Sequence, residues 1–328
     1  MFKAVLLFIV GLILLIKGGD WFVDGASGIA KKFRIPEIII GATVVSIGTT
    51  LPEVMVSVSG AVGGQGSMAY GNALGSIICN TALISALTIA IKPGPIDTKS
   101  LKIPVIFFFA SAVVYSVTAY VFGYFYRWIG ILLLLIFVVY MIISTLNGVK
   151  ESKLQLTEDK KDDSNCDEKK VKPLWLEIIL LVLGAGVIAI GADLLVDNGT
   201  VIARELGVPE TVIALTFVAL GTSLPELVTA ITSLIKGHGS LSLGNVIGAN
   251  LFNLVLVSGA SIALAPFEVP VGNTLFGINS SLVLDIPLAL VVMAILTIPT
   301  FITKKLSRTQ GITLLVIYAA FCTLQFVL

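Results

Sequence analysis

Apolar residues run in long uninterrupted stretches, parted by short polar ones, from one end of the chain to the other. Several stretches approach the ~20 residues a helix needs to cross the hydrocarbon of a bilayer. Read as helices by their length, they fall at about 2–25, 36–62, 69–91, 101–122 and 128–148. A second set falls at about 174–197, 209–235, 241–265, 280–302 and 310–328. The pattern predicts an all-α integral membrane protein with ten transmembrane helices. Lys3 followed by an apolar run to Ile16 has the form of a signal peptide. A related pattern recurs at 174–199, in mid-chain, so residues 2–25 are read as a retained first span.

Two of these stretches hold polar residues where hydrocarbon is expected. One carries Gly48-Thr49-Thr50-Leu51-Pro52-Glu53 and the other Gly221-Thr222-Ser223-Leu224-Pro225-Glu226. A carboxylate at membrane depth marks an ion or substrate path by default. The proline has no N–H and clashes with the carbonyl four residues back, here Gly48 and Gly221. The helix is expected to open there, and open backbone is tolerated at membrane depth only where it lines a protein-enclosed or wet cavity.

A shift of 173 residues superposes more than these motifs. Asp20 falls on Asp193, Asp24 on Asp197, Pro36-Glu37 on Pro209-Glu210, Gly71-Asn72 on Gly244-Asn245, Gly75 on Gly248 and Asn80 on Asn253. Membrane composition alone matches leucines, but not Asp, Glu, Asn and Pro in one register. With five spans in each half, the second half must enter from the opposite face. The expected organisation is a first five-helix repeat at 1–148, a linker at 149–173, and a second, inverted repeat at 174–328. Inverted repeats with discontinuous helices at midplane are typical of secondary transporters.

Charge sets the orientation. Loops on one side hold Lys31, Lys32, Arg34, Lys92, Lys99, Lys102, seven lysines from Lys150 to Lys172, Lys236, Lys304, Lys305 and Arg308. The other side holds Lys3, Arg127 and Arg204. Positive charge accumulates on the cytoplasmic side, which puts the linker in the cytoplasm and both termini outside a cell membrane. Within the linker, Asp163, Asn165 and Asp167 alternate as in an EF-hand, but Glu168 stands where that loop needs Gly and Leu174 where it needs Glu. The linker is read as a solvated connection.

Composition agrees: 56% of residues are hydrophobic, 12% charged, and the net charge is +1. No basic stripe with interleaved aromatics points to nucleic acid. Cys79, Cys166 and Cys322 are odd in number and far apart, which suggests neither a disulfide framework nor a CxxC metal site. The single histidine, His238, lies in a Gly-rich turn, against zinc or His-based nucleophilic chemistry.

The candidate ligands are oxygens. Glu53 and Glu226 supply two negative charges, enough to balance one Ca2+, which accepts six to eight oxygens in flexible geometry. Carbonyls near Gly48-Thr49 and Gly221-Thr222, the hydroxyls of Thr50, Ser223 and Ser76, and amide oxygens could complete the set. Asn72, Ser76 and Asn80 are spaced by four along one helical stripe, with Gly71 and Gly75 beside them to allow close helix approach. The second copy reads Asn245, Ala249 and Asn253. Asn80 and Asn253 are read as ligands or their supports, Asn72 and Asn245 as structural. Asp20, Asp24, Asp193 and Asp197 are expected at span ends, reaching headgroups, pairing with Lys17 or bonding backbone. Asp285 is expected at an interface. Glu37 and Glu210 begin helices, where negative charge suits the dipole.

The stretches GATVVSIGTTLPE, YGNALGSIICN, ALTFVALGTSLPE and LGNVIGANLFN resemble the two alpha repeats of the cation/calcium antiporter superfamily, in its sodium/calcium exchanger branch. The proton/calcium branch typically has Gly-Asn-x-x-Glu in the third span of each half. Here Gly71-Asn72-Ala73-Leu74-Gly75 and Gly244-Asn245-Val246-Ile247-Gly248 stand instead. The resemblance implies a secondary-active antiporter exchanging Ca2+ for Na+ by alternating access, with no ATP, no cofactor, no obligate protein partner and no nucleic acid. It implies that Glu53 and Glu226 are the calcium carboxylates, joined by backbone oxygens of Thr49 and Thr222. Thr50, Ser223, Ser76 and Asn80 would form flanking sodium sites. Asn253 stands where many relatives have Asp, and Ala249 where many have Ser, so sodium coupling is expected to differ and potassium not to be required. The alternatives are a proton/calcium antiporter using the same Glu pair and a passive cation channel. An intramembrane aspartyl protease using Asp20 and Asp193 leaves the paired motifs unexplained and has no GxGD match.

Overall fold

A computed structural model describes residues 2–159, 173–206, 221–271, 274–275 and 278–327. The linker acids Asp163, Asn165, Asp167 and Glu168, and Pro209-Glu210 with the rest of 207–220, lie outside the described residues. The first half forms α1 (Phe2–Phe33), α2 (Glu37–Val62), α3 (Gly66–Ile91), α4 (Thr98–Phe122) and α5 (Arg127–Asp159). The second forms α6 (Leu174–Glu205), α7 (Leu224–Ile235 as described), α8 (Gly239–Leu264), α9 (Ser281–Thr303) and α10 (Arg308–Val327). Eight of these are long and apolar enough to span a membrane, among the described residues. With α7 and α10 they match the ten expected spans, and α1 and α6 run about two turns further than their apolar stretches.

The chain divides into two compact units that cut across the sequence halves. One comprises residues 1–49 and 142–245, the other 50–141 and 246–328. Each therefore draws on both repeats.

In the first unit α1 lies along α6. Lipid is as apolar as leucine, so helices in a bilayer are held by close packing and hydrogen bonds, and small residues bring backbones together. Glycines recur every seven residues at Gly11, Gly18 and Gly25 on α1, and at Gly184 and Gly191 on α6. A Cβ added at Gly11 would lie 2.9 Å from the Gly191 carbonyl oxygen, at Gly18 2.9 Å from Ile188 N, and at Gly25 2.5 Å from Leu181 N. The partners count down α6 as α1 counts up, so the first helices of the two repeats run antiparallel. Leu15, Phe22, Val23, Ile188 and Leu241 form the buried core of this unit.

The second unit shows the repeat by exchange. Strand β1 (Gly94–Pro95), after α3, pairs antiparallel with β6 (Lys305–Leu306), between α9 and α10. Reciprocally, β2 (Tyr124–Phe125), between α4 and α5, pairs with β3 (Phe267–Glu268), after α8. Gly130 of α5 sits on Gly259 and Ala263 of α8, and Gly311 of α10 sits on Ala86 and Ala90 of α3. Gly123 and Lys304, both left-handed, cap α4 and α9. These last matches are 181 residues apart, eight more than 173. The extra length falls in the loop holding the hairpin of β4 (Thr274–Leu275) and β5 (Ile278–Asn279), which is why a gapless search loses the repeat beyond that loop.

Candidate functional site

The two copies of the hexapeptide have different backbones. The second behaves as expected: Thr222 and Ser223 form a turn, and α7 restarts at Leu224 with Pro225 in its first positions, where proline's missing N–H would be unpaired anyway. The first differs. Pro52 lies inside an unbroken α-helical stretch, Ser46–Val62. Proline removes one ladder bond, from Gly48 O, without ending the helix there. The irregularity falls earlier, in a π-helical turn at Gly41–Val45. Such turns insert one residue into a helix and occur often at functional sites.

In the second unit, Thr50, Glu53 and Ser57 follow one face of α2 and all three have no exposed surface. The amide of Asn72 donates to Ser57 Oγ at 2.8 Å and to the Glu53 carbonyl oxygen at 3.2 Å. Asn72 is thus a brace for the helix that carries Glu53. Ser76 is buried one turn before Asn80. Asn80 and Asn253 occupy equivalent positions in the two repeats, and each opens a π-helical turn, Asn80–Ser85 and Asn253–Val257. Both are fully buried, and neither amide nitrogen nor amide oxygen of either has a hydrogen-bond partner among the described residues. A buried amide with nothing to bond is destabilising, so both amides stand open to a partner that the described residues do not supply. The Gly66–Cys79 part of α3 packs against the Asn253–Val257 turn.

In the first unit, Asn245 Oδ1 accepts from Thr49 Oγ1 at 3.2 Å, and Ser46 Oγ lies 3.0 Å from the Asn245 carbonyl oxygen. The Asn245 amide oxygen is thus engaged by α2, while its buried Nδ2 has no partner among the described residues. Glu226 is fully buried. Neither of its oxygens has a partner of ordinary hydrogen-bond geometry, although Thr49 lies beside it. Ser223 is the N-cap of α7 but makes no capping bond, and its buried hydroxyl is also unpartnered. Thr222 is half-buried. Thus Thr49, Ser223 and Glu226 belong to the first unit with Thr222, and Thr50, Glu53, Ser76, Asn80 and Asn253 to the second.

Two expectations need correction. Asp20 and Asp24 pair with Lys236, not Lys17: its Nζ lies 3.2 Å from Asp20 Oδ1 and 2.7 Å from Asp24 Oδ1. Gly71 and Gly75 face open space, with nothing within 4 Å of an added Cβ. The close approach occurs instead at Gly244, where a Cβ would be 2.2 Å from the Ile38 carbonyl oxygen. Glu37 does open α2, and its Oε1 also meets His238 Nδ1 at 2.7 Å. Asp285 accepts from Gln325 Nε2 at 3.5 Å.

Sequence reasoning missed Ser46, Ser57 and Asn250. The Asn250 amide donates to Thr81 Oγ1 at 2.7 Å, and Thr81 donates to Ile77 O, so Asn250 steadies the turn that begins at Asn80. These residues break the repeat: Ser46, Ser57 and Asn250 align with Ala219, Ala230 and Ile77. A search for matched polar positions passes over them.

The sequence matches the Sodium/calcium exchanger protein family over residues 3–146 and 176–327. It is 33% identical over 318 residues to an uncharacterized membrane protein, MJ0091, of Methanocaldococcus jannaschii, covering 95% of this chain and 94% of that one. It is 32% identical over 351 residues to the sodium/calcium exchanger MaX1 of Methanosarcina acetivorans, covering 98% of each. Its fold is similar to that of the sodium-calcium exchanger NCX_Mj soaked with Na+ and Sr2+, with a TM-score of 0.79 and 29% identity over 97% of each chain. This multi-pass membrane protein is a transporter rather than an enzyme, and it belongs to the sodium/calcium exchanger family.

Proposed function

We propose that the protein exchanges Ca2+ for Na+ across the cell membrane by alternating access, with Glu53 and Glu226 together holding the calcium ion. The observation that carries this reading is the complete burial of both carboxylates, one from each repeat, in a chain that crosses the bilayer. A buried charge needs a counter-charge, and a divalent cation balances two carboxylates. Backbone oxygens of Thr49 and Thr222 complete the calcium site. Thr50, Ser223, Ser76, Asn80 and Asn253 supply neutral oxygens suited to Na+, and the unpartnered amides of Asn80 and Asn253 support that role. The first and sixth spans, α1 and α6, move as one piece, which their glycine-lined contact favours. The linker and the lysine-rich loops are cytoplasmic and both termini outside, so an impermeant thiol reagent should label Cys166 from the cytoplasmic side alone.

Proteoliposomes loaded with calcium and given a sodium gradient test the central claim. Glu53→Gln and Glu226→Gln each leave one of the two charges of bound Ca2+ unbalanced. Removing one partner of a buried charge set costs about 3–5 kcal/mol, or about two to four orders of magnitude in calcium affinity. Undiminished sodium-driven calcium flux in either variant defeats the Glu pair. Flux driven by a proton gradient but not by sodium would favour the proton/calcium alternative.

A further inference from the structure

Serine and threonine inside a helix ordinarily return their hydroxyl proton to the carbonyl one turn back. Thr43, Thr81, Ser85, Ser261 and Thr297 all do so here, at 2.6–2.8 Å. Two residues of α7 do not. Thr229 Oγ1 and Ser233 Oγ are buried, each residue with no exposed surface, and neither has a hydrogen-bond partner among the described residues. Ser223 forgoes its capping bond in the same way, and Glu226 lies between. By helical period, 226, 229 and 233 share one face of α7. A different, flanking side is turned to α1: a Cβ added at Gly19 would lie 2.7 Å from Val228 Cγ1 and 2.8 Å from Thr232 Oγ1. So α7 presents a row of unsatisfied oxygens that its contact with α1 does not use.

The row has a direction. From Glu226 to Ser233 it rises about 10 Å, and one turn beyond Ser233 the helix ends at Lys236, in one of the lysine-rich loops. A lysine at the mouth of a cation route would repel cations. This one is held by Asp20 and Asp24, so two carboxylates outweigh one ammonium there.

The other repeat matches this row at Thr50, whose buried hydroxyl also has no partner among the described residues, but does not extend it beyond its acid. The 173-residue shift places Val56 at Thr229, Ser57 at Ala230 and Gly60 at Ser233. Val56 offers no oxygen. Ser57 is engaged by Asn72, and Gly60 is packed by Met68, whose Sδ would sit 3.0 Å from an added Cβ. The polar row beyond the acid is therefore a property of one repeat and leads to one side.

We infer that Thr229 and Ser233 line the hydrated route by which Na+ and Ca2+ pass between Glu226 and the side of the membrane that bears the linker. Their hydroxyls, without partners among the described residues, are satisfied by water and by the passing ion. The inference rests on the exchanger reading for the identity of the ions.

The test uses full-length protein in vesicles of known orientation, with Cys79, Cys166 and Cys322 replaced by serine. Ser233→Cys and Thr229→Cys are treated from either side with a small, impermeant, cationic methanethiosulfonate. Ile231→Cys, on an exposed part of the same helix, is the lipid-facing control. From the linker side, both row positions should react about tenfold faster than Ile231→Cys, because reaction needs a wetted thiolate. Modification should then lower sodium-driven calcium flux about tenfold, as for a blocked pore-lining position, and bound Ca2+ should slow reaction at Thr229→Cys. Reaction no faster than the control, reaction only from the opposite side, or modification that leaves flux intact each overturns the inference. If one variant does not assemble, the other carries the same comparison. Labelling rates do not depend on transport. The unmodified cysteine-free protein, assayed for exchange, shows separately whether the exchanger reading itself fails.

Discussion

The same side chain, asparagine, does two jobs in this protein, and the difference lies in what surrounds each copy. Asn72 and Asn245 bond to hydroxyls and carbonyls of α2. The side chains of Asn80 and Asn253 have no hydrogen-bond partner among the described residues. Thermal unfolding in detergent should separate the two kinds. Asn245→Ala strips a bonded acceptor from buried hydroxyls and should cost about 1–3 kcal/mol with or without ions. Asn80→Ala removes an orphaned group, so ion-free stability should shift by less than about 1 kcal/mol. The stabilisation given by saturating Na+ or Ca2+, about 2.7 kcal/mol at a hundred times the dissociation constant, should shrink. Equal destabilisation in the absence of ions would make Asn80 helix glue and remove it from the site.

Helices here are tuned by where they depart from regularity. Each of Asn80 and Asn253 begins a π-helical turn, and another precedes the first hexapeptide. None of these turns contains proline, so no breaker residue announced them. Proline itself is a poorer guide: Pro225 starts a helix, while Pro52 sits within one. The glycines divide similarly. Gly71 and Gly244 are equivalent in sequence, yet one faces open space and the other the Ile38 backbone. Gly244→Ala should therefore destabilise by about 1–3 kcal/mol through overpacking. Gly71→Ala should stabilise by about 0.5–1 kcal/mol, since alanine loses less backbone entropy in a helix. Matching effects at the two sites, read as melting temperatures, would refute the asymmetry.

At the scale of the whole molecule, the two repeats are inverted copies, Glu53 falls in one and Glu226 in the other, and no third carboxylate stands at Asn253. Three sodium ions against two carboxylates would leave one positive charge uncompensated in a low-dielectric site. We expect a coupling other than three Na+ per Ca2+, read as the reversal potential of calcium flux in proteoliposomes. A clear three-to-one value would defeat the idea. The departures from symmetry at Ser57, Thr229 and Ser233 sit on the same helices as the acids, so the two repeats need not serve the two faces of the membrane equally.

Apolar length alone was enough to count the spans, because a bilayer permits few ways to bury backbone. Matched polar residues at one fixed shift were enough to find the repeat, and five spans in each half to infer its inversion. Tertiary structure decided what composition does not encode. It assigned Asp20 and Asp24 to a lysine more than 200 residues away, and it cut the chain into units that each mix both repeats. It also set which buried oxygens are satisfied and which are left open. The reason is physical: the hydrophobic pattern determines how a segment meets lipid. The partner of a polar atom depends on which segments fold beside it.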